Sequence, residues 1–265
     1  MSGIGGRTDP FGQAGADVRL EWGRSGARRA AERGDILVVV DVLSFCSTVV
    51  TAAAHGVLVF PCRTPEEAAA LAARHGGEAA IRRQNGSEKG RFSLSPLTFL
   101  DAPPGLRVAV ASPNGATCAT LGQQVPCLIA GSLLNAGAAA ERAAEAANAF
   151  GRPITVLACG ERWAEPNEDG ELRFALEDYL GAGAILAALP FSLTRSAEAT
   201  VAERAFQAAE NDLAELLLQS GSGVELTGKG FGGDVRHAAQ YNLYSVAPTM
   251  TAAGYFEPGG GINGR

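Results

Sequence analysis

Ile36-Leu37-Val38-Val39-Val40-Asp41 decides the fold class. Five apolar residues run without alternation, the pattern of a strand covered on both faces. Asp41 ends the run, and Ser47 to Ala54 beyond it reads as a helix. Working outward, Val57 to Phe60 is a second short strand. Thr64-Pro65-Glu66-Glu67 then places Thr at N-cap, Pro at N1 and Glu at N3, a capping box that opens a helix to about His75. Gly76-Gly77 stops it. The alternation continues with strands at Arg107 to Ala111, Cys127 to Ala130 and Ile154 to Ala158. Helices are expected to about Leu121, over Asn135 to Phe150 and over Ala175 to Leu189. Ala197 to Gln219 reads as one long helix or two consecutive ones, and Asp234 to Tyr241 as another. Strands and helices alternating in this way specify an α/β fold on a mostly parallel or mixed sheet.

No internal repeat or linker interrupts the core, so residues 17–250 read as a single domain. Residues 1–16 are expected to be a flexible arm and residues 251–265 a flexible tail. With 265 residues and 46% hydrophobic content, the chain can bury a sizeable core without disulfides. Its net charge of −6, with no Lys/Arg stripe, argues against nucleic acid and anionic membranes as partners. The five cysteines (Cys46, Cys62, Cys118, Cys127, Cys159) form no C-x-x-C, so reduced thiols are expected. No signal-peptide pattern and no apolar run of membrane-spanning length is read, which gives a cytoplasmic expectation.

In open α/β sheets, ligands sit beyond the carboxyl ends of the strands, where helix N-termini present free N–H groups. Three such places carry unusual chemistry. Asp41 is followed by a turn bearing Ser44, Ser47 and Thr48; Ser112-Pro113-Asn114-Gly115 follows one strand; Cys159-Gly160-Glu161 follows another. The first two offer a phosphate hydroxyls and amides, and the first and third offer a cation a carboxylate. Glu177 and Asp178 stand in an apolar context, and Asp234 follows glycines that let backbone approach a ligand. Carboxylates brought together repel unless a hard cation such as Mg2+ neutralises them. Each also has a plainer reading: Asp41 and Asp234 as helix N-caps, Asn114-Gly115 as a turn, Glu177-Asp178 as one buried and one solvated acid.

Several familiar catalytic patterns are excluded. Gly223 to Lys229 matches the G-x-x-x-x-G-K part of a P-loop, but Gly230 stands where Ser or Thr should hold Mg2+. Leu43 occupies the place of the second aspartate of a haloacid-dehalogenase-type phosphatase. None of the cysteines has the arginine of a cysteine phosphatase, and there is no G-x-S-x-G elbow.

The surviving pieces, in order, resemble the Mg2+-dependent 2-phosphosulfolactate phosphatases (the ComB family). The resemblance rests on Val40-Asp-Val-Leu43 with Ser47-Thr48, Ser112-Pro-Asn-Gly-Ala-Thr117 and Ser132-Leu-Leu-Asn-Ala136. It continues through Cys159-Gly-Glu161, Leu176-Glu-Asp178, Gly181-Ala-Gly183, Gly230-Phe-Gly-Gly-Asp-Val235 and Val246-Ala-Pro248. It implies a three-layer α/β/α fold around a mixed sheet, Mg2+ as cofactor, a small phosphorylated acid as substrate and a place in coenzyme M synthesis. A homodimer is a further open expectation. On this basis Asp41, Glu177, Asp178 and Asp234 are candidates for metal binding, with Asp41, Glu161 and Asp178 as catalytic candidates. Ser44, Ser47, Thr48, Ser112, Asn114, Gly115 and Asn135 are candidates for phosphate and substrate contacts. Two positions depart from the family pattern: Ser44 where an arginine usually follows Asp-Val-Leu, and Leu94-Ser-Pro96 where Asn-Ser-Pro is usual. Serine lacks the fork of N–H donors with which arginine grips a sulfonate or carboxylate. Arg82, Arg83 and Arg91 are the cations the sequence offers in its place. The expected activity is Mg2+-dependent hydrolysis of a phosphomonoester. The alternatives are an anion-binding or regulatory protein on the same fold, supported by Ser44, and a nucleotide-binding Rossmann enzyme, disfavoured because no G-x-G-x-x-G joins a strand to a helix.

Overall fold

The five apolar residues of Ile36–Val40 do form a strand, and every one of their side chains is buried. This is a computed structural model, and it describes residues 9–81, 91–167 and 170–259. The first half of the chain contributes β1 (Val18–Trp22), α1 (Gly23–Arg33), β2 (Ile36–Val40), α2 (Phe45–Ala54), β3 (Leu58–Cys62), α3 (Pro65–His75) and β4 (Glu78–Ala79). Next come β5 (Arg107–Ala111), α4 (Gly115–Gly122), β6 (Leu128–Gly131), α5 (Ala136–Phe150) and β7 (Ile154–Ala158). A hairpin, β8 (Glu161–Asn167) with β9 (Gly170–Arg173), precedes α6 (Leu176–Ala188), α7 (Ala197–Ala209), α8 (Leu213–Gln219), α9 (Gly221–Gly228) and α10 (Gly232–Ala238). Two very short strands close the described chain, β10 (Thr249–Met250) and β11 (Phe256–Glu257).

The main sheet has the order β1-β7-β2-β6-β10-β11-β3-β5-β4. β1, β7, β2 and β6 are mutually parallel, as are β3, β5 and β4. The two parallel blocks are joined by antiparallel pairing through β10 and β11. The continuous apolar run of β2 is explained by the layers on either side of it. Ile36, Val38 and Val40 belong to a core shared with α5, α6 and α7, through residues such as Ala139, Ile185 and Phe206. Leu37 and Val39 belong to a second core with Ala27, Val49 and Ala116 of α1, α2 and α4. Successive strand residues point to opposite faces, so only a strand apolar at every position satisfies both layers.

Thr64 caps α3 as expected, its hydroxyl accepting from the Glu67 amide, but the Glu67 carboxylate turns to Arg63 rather than to Thr64. Two expectations about the ends are corrected. Residues 9–16 are tied down: Gln13 exchanges hydrogen bonds with backbone Leu20, and Arg29 pairs with Asp9. Residues 251–259 are no loose tail either, because Phe256 is fully buried and pairs with Val59 in the sheet. An aromatic residue whose backbone fills a gap between two strand blocks is ordered however many glycines follow it. The segment resembling a P-loop is helical, as α9, with no loop to cradle phosphate. Gly223 is there because a Cβ would stand 1.8 Å from the Leu217 carbonyl oxygen.

Candidate active site

Asp41 follows β2 directly and is 5% exposed. Its Oδ1 accepts from the Phe45 amide at 3.1 Å, in the first turn of α2, and its Oδ2 accepts from the Gly115 amide at 2.7 Å, at the start of α4. Two helix N-termini therefore converge on one carboxylate, and each supplies a donor that has no partner within its own helix. The Ser112 hydroxyl lies 3.5 Å from Oδ2 and accepts from the Asn114 amide. Gly115 is a glycine because a Cβ would sit 2.6 Å from Asp41 Oδ2 and 2.5 Å from the Phe45 ring.

Asp178 lies in the first turn of α6 and bridges the ends of two neighbouring strands. Its Oδ1 accepts from Val42 N at 2.8 Å and its Oδ2 from Gly160 N at 2.9 Å. Glu161, just beyond β7, accepts from the Asn114 side-chain amide at 2.8 Å and from the Arg162 amide at 2.9 Å. Glu177 is 3% exposed and has no hydrogen-bond donor among the described residues.

Burial pushes the Asp41 carboxyl up to about 6, helped by the nearby charges of Glu161 and Glu177 and opposed by the two amides. Burial also drives Asp178 well above the usual carboxylate range, with Asp41 and Glu177 adding to the effect. The sequence places Asp41 more than a hundred residues from the other three acids, and the fold puts them in one electrostatic field. A carboxyl whose folded pKa exceeds its unfolded value stabilises the fold below the unfolded pKa, and that stability is lost as pH rises through the folded value. The melting temperature of protein kept in a chelator is therefore expected to fall as pH rises from about 4 to about 6. A melting temperature that climbs steadily over that window would contradict the shared burial of these acids.

The donor set suits a hard cation held by few protein ligands. Among the described residues no three His, Cys, Asp or Glu side chains gather into a ready metal cluster. Mg2+ is commonly held by one or two carboxylates together with water and substrate phosphate, not by an all-protein cage. The observation that fits it here is Glu177, a buried carboxylate without a donor, in the field of Asp41 and Asp178.

Other expected residues have different surroundings. Asp234 accepts from the Ser95 hydroxyl at 2.6 Å and acts electrostatically on His237, whose Nε2 lies 3.1 Å from the Thr51 hydroxyl. Asn135 spends both side-chain N–H bonds on the Ala130 and Val246 carbonyls and accepts from Ser132 N, so it holds backbone together. Ser47 donates to the Val42 carbonyl. Ser44 and Thr48 are buried in the turn and first part of α2, and the Thr48 hydroxyl has no hydrogen-bond partner among the described residues. Arg82 and Arg83 lie outside the described residues, and the Arg91 guanidinium sits 5.0 Å from the centre of the Phe92 ring.

Sequence reasoning missed Arg24, whose guanidinium donates to the Pro113 carbonyl at 3.2 Å and pairs with Glu171. It lies in α1, where four arginines, two glycines and a serine within Gly23–Arg33 hid the helix. The only available signal was the alanine spacing, Ala27 and Ala30, on the buried face.

Comparison with known proteins identifies the family of the chain. A family model described as 2-phosphosulpholactate phosphatase matches residues 25–253. A protein of Gloeobacter violaceus named probable 2-phosphosulfolactate phosphatase is 30% identical over 234 residues, covering 85% of this chain and 92% of that protein. One of Thermotoga petrophila with the same name is 30% identical over 217 residues, covering 80% of this chain and 88% of its own length. The matched span includes Asp41, the Ser112–Gly115 loop, Glu161 and Asp178, all four parts of the acidic centre. The chain belongs to the 2-phosphosulpholactate phosphatase family, and so to the phosphoric monoester hydrolases.

Proposed function

We propose that the chain hydrolyses the phosphomonoester of a small acidic metabolite with the help of Mg2+, in the manner of 2-phosphosulfolactate plus water giving 3-sulfolactate plus phosphate. The observation that carries this reading is the buried group Asp41, Glu177 and Asp178, standing beside an amide-bearing loop at the carboxyl ends of β2 and β5. Glu177, together with Asp41 or Asp178, would hold the cation, which when bound supplies positive charge against the phosphoryl oxygens and orders the attack. The loop of Ser112, Asn114 and Gly115, at the N-terminus of α4, would turn polar groups that now bond to Asp41 and Glu161 toward the phosphoryl oxygens when substrate binds. Glu161, anchored by the Asn114 side chain and the Arg162 amide, is held to take a proton from the attacking water and return it to the leaving alkoxide. Water oxygen bonds to phosphorus, the phosphorus–ester oxygen bond breaks, and alcohol and phosphate leave.

The direct test is phosphate release from 2-phosphosulfolactate and 2-phospholactate, with Mg2+ and with excess chelator. Release is expected only with Mg2+. Equal rates in chelator would remove the metal from the proposal, and no release from any phosphomonoester would remove the hydrolase. Among the described residues no helix is long and apolar enough to cross a membrane, in keeping with a water-borne substrate.

A further inference from the structure

A cavity of about 510 Å³ opens beside the loop that carries the proposed phosphate contacts, lined by Ile81, Leu94, Val110, Ala111 and Pro113 among others. Along that loop the residues divide by side. Ala111 and Pro113 face the cavity, while Ser112, Asn114 and Gly115 bond toward Asp41 and Glu161. The cavity therefore begins within one residue, about 4 Å of chain, of the loop's polar groups.

Its walls differ from what a sulfonate would need. Among the described residues, Ala80, Ile81, Leu94, Val110, Ala111, Pro65 and Pro113 supply them, with Glu66 at the rim, and the arginine there, Arg63, is already engaged. Two of its nitrogens donate to Glu67 Oε1, at 3.1 and 2.6 Å. The rim threonine, Thr64, is committed to capping α3. A compact sulfonated three-carbon acid would leave most of this volume empty and would lay an anion against apolar carbon. Ligand pockets of several hundred cubic ångströms enclose larger organic bodies on apolar walls. Ser44, in place of an arginine, removes one more fork that could grip a second acid.

We infer that the cavity receives an apolar chain of the substrate. On this view the natural substrate is a 2-phosphooxy carboxylic acid, or a close relative, whose side chain is an alkyl or aryl group and not a sulfomethyl group. This rests on the hydrolase reading above and names the substrate class of that same site. The seat is formed by Ile81, Leu94 and Val110, which grade chain length by the apolar surface they cover.

The test is a homologous series: 2-phospholactate, 2-phosphooxypentanoate, 2-phosphooxyhexanoate and 2-phosphooxyoctanoate, assayed for phosphate release with Mg2+ beside 2-phosphosulfolactate. The series holds the carboxylate and the leaving oxygen almost constant while only the chain grows. The expected result is a rise in kcat/KM of about threefold per methylene through the hexanoate, well above the value for 2-phosphosulfolactate. A flat or falling series, with 2-phosphosulfolactate preferred, overturns the inference and leaves the hydrolase standing. If nothing is hydrolysed, the hydrolase reading fails, and binding of hexylphosphonate against ethylphosphonate, by calorimetry, decides the cavity separately. A tenfold or greater preference for the hexyl compound supports it; equal affinities overturn it. Leu94→Trp, which fills the cavity, is expected to collapse the chain-length gradient, and Ile81→Phe provides a second variant should the first fold poorly.

Discussion

Asp41→Asn is expected to lower the rate of phosphate release by about a thousandfold, because a preorganised charged group at a reacting centre contributes on that scale. The substitution keeps shape and size but removes the charge, and one oxygen becomes an amide group. That amide would face the N–H of Phe45 or Gly115, which now donate to the carboxylate. An orphaned buried donor costs about 1–3 kcal/mol. Relief of repulsion from Glu161 and Glu177 offsets part of this, so the variant should remain folded. Turnover and Mg2+ affinity, the latter by calorimetry, separate two roles for the residue. Lost turnover with unchanged affinity places Asp41 against phosphorus, as a covalent mechanism requires. Lost turnover with affinity weakened tenfold or more makes it a metal ligand. Unchanged turnover removes Asp41 from the chemistry altogether.

Gly115→Ala should be among the most damaging single-methyl changes in the molecule. The added Cβ would stand 2.5 Å from Phe45 Cδ1, 2.6 Å from Asp41 Oδ2 and 2.8 Å from Phe45 Cβ. None of these atoms can swing away freely, because Phe45 is fully buried and Asp41 is fixed by two amides. Overpacking of this kind costs about 1–3 kcal/mol, and weakening a charge-assisted hydrogen bond adds about 1–2 kcal/mol. For a chain of this size that lowers the melting temperature by roughly 10 °C. Activity should fall at least a hundredfold even at temperatures where the variant is folded, since the Asp41 carboxylate must shift. A melting temperature within 2 °C of the parent, about the shift from 1 kcal/mol, would show the loop to be looser than its contacts imply.

The central elements were readable because their sequence patterns are forced by burial. β2 and β7 are apolar at nearly every position, and α3 carries its stop signals on either side. What escaped had weak local signals. α9 is half glycine and serine, and β10 and β11 are two residues each, too short for any periodicity. Of the site, Asp41, the Ser112–Gly115 loop, Glu161 and Asp178 could be found from their places after strands or beside apolar runs. Their mutual arrangement could not, because it depends on which strands are neighbours. β7 lies beside β2 although more than a hundred residues separate them, and that adjacency brings Asp178 to Val42. Asn135 shows the same dependence: read in the sequence as a candidate substrate contact, its side chain bonds backbone groups that only the folded chain brings near.

The antiparallel stitch through β10 and β11 has a consequence for how the enzyme comes into being. Asp41 belongs to one parallel block of the sheet and Gly115 to the other, and the hydrogen bond between them crosses the seam that the stitch closes. Among the described residues, β10 and β11 follow all the other strands in the chain. The acids Asp41, Glu161, Glu177 and Asp178 stand with the first block and the Ser112–Gly115 loop with the second, so the site is complete only when the two blocks are aligned, and the pairing of Phe256 with Val59 helps to hold that alignment. The geometry around Asp41 thus depends on a contact made far along the chain, at β11, as well as on the strands that carry its own residues.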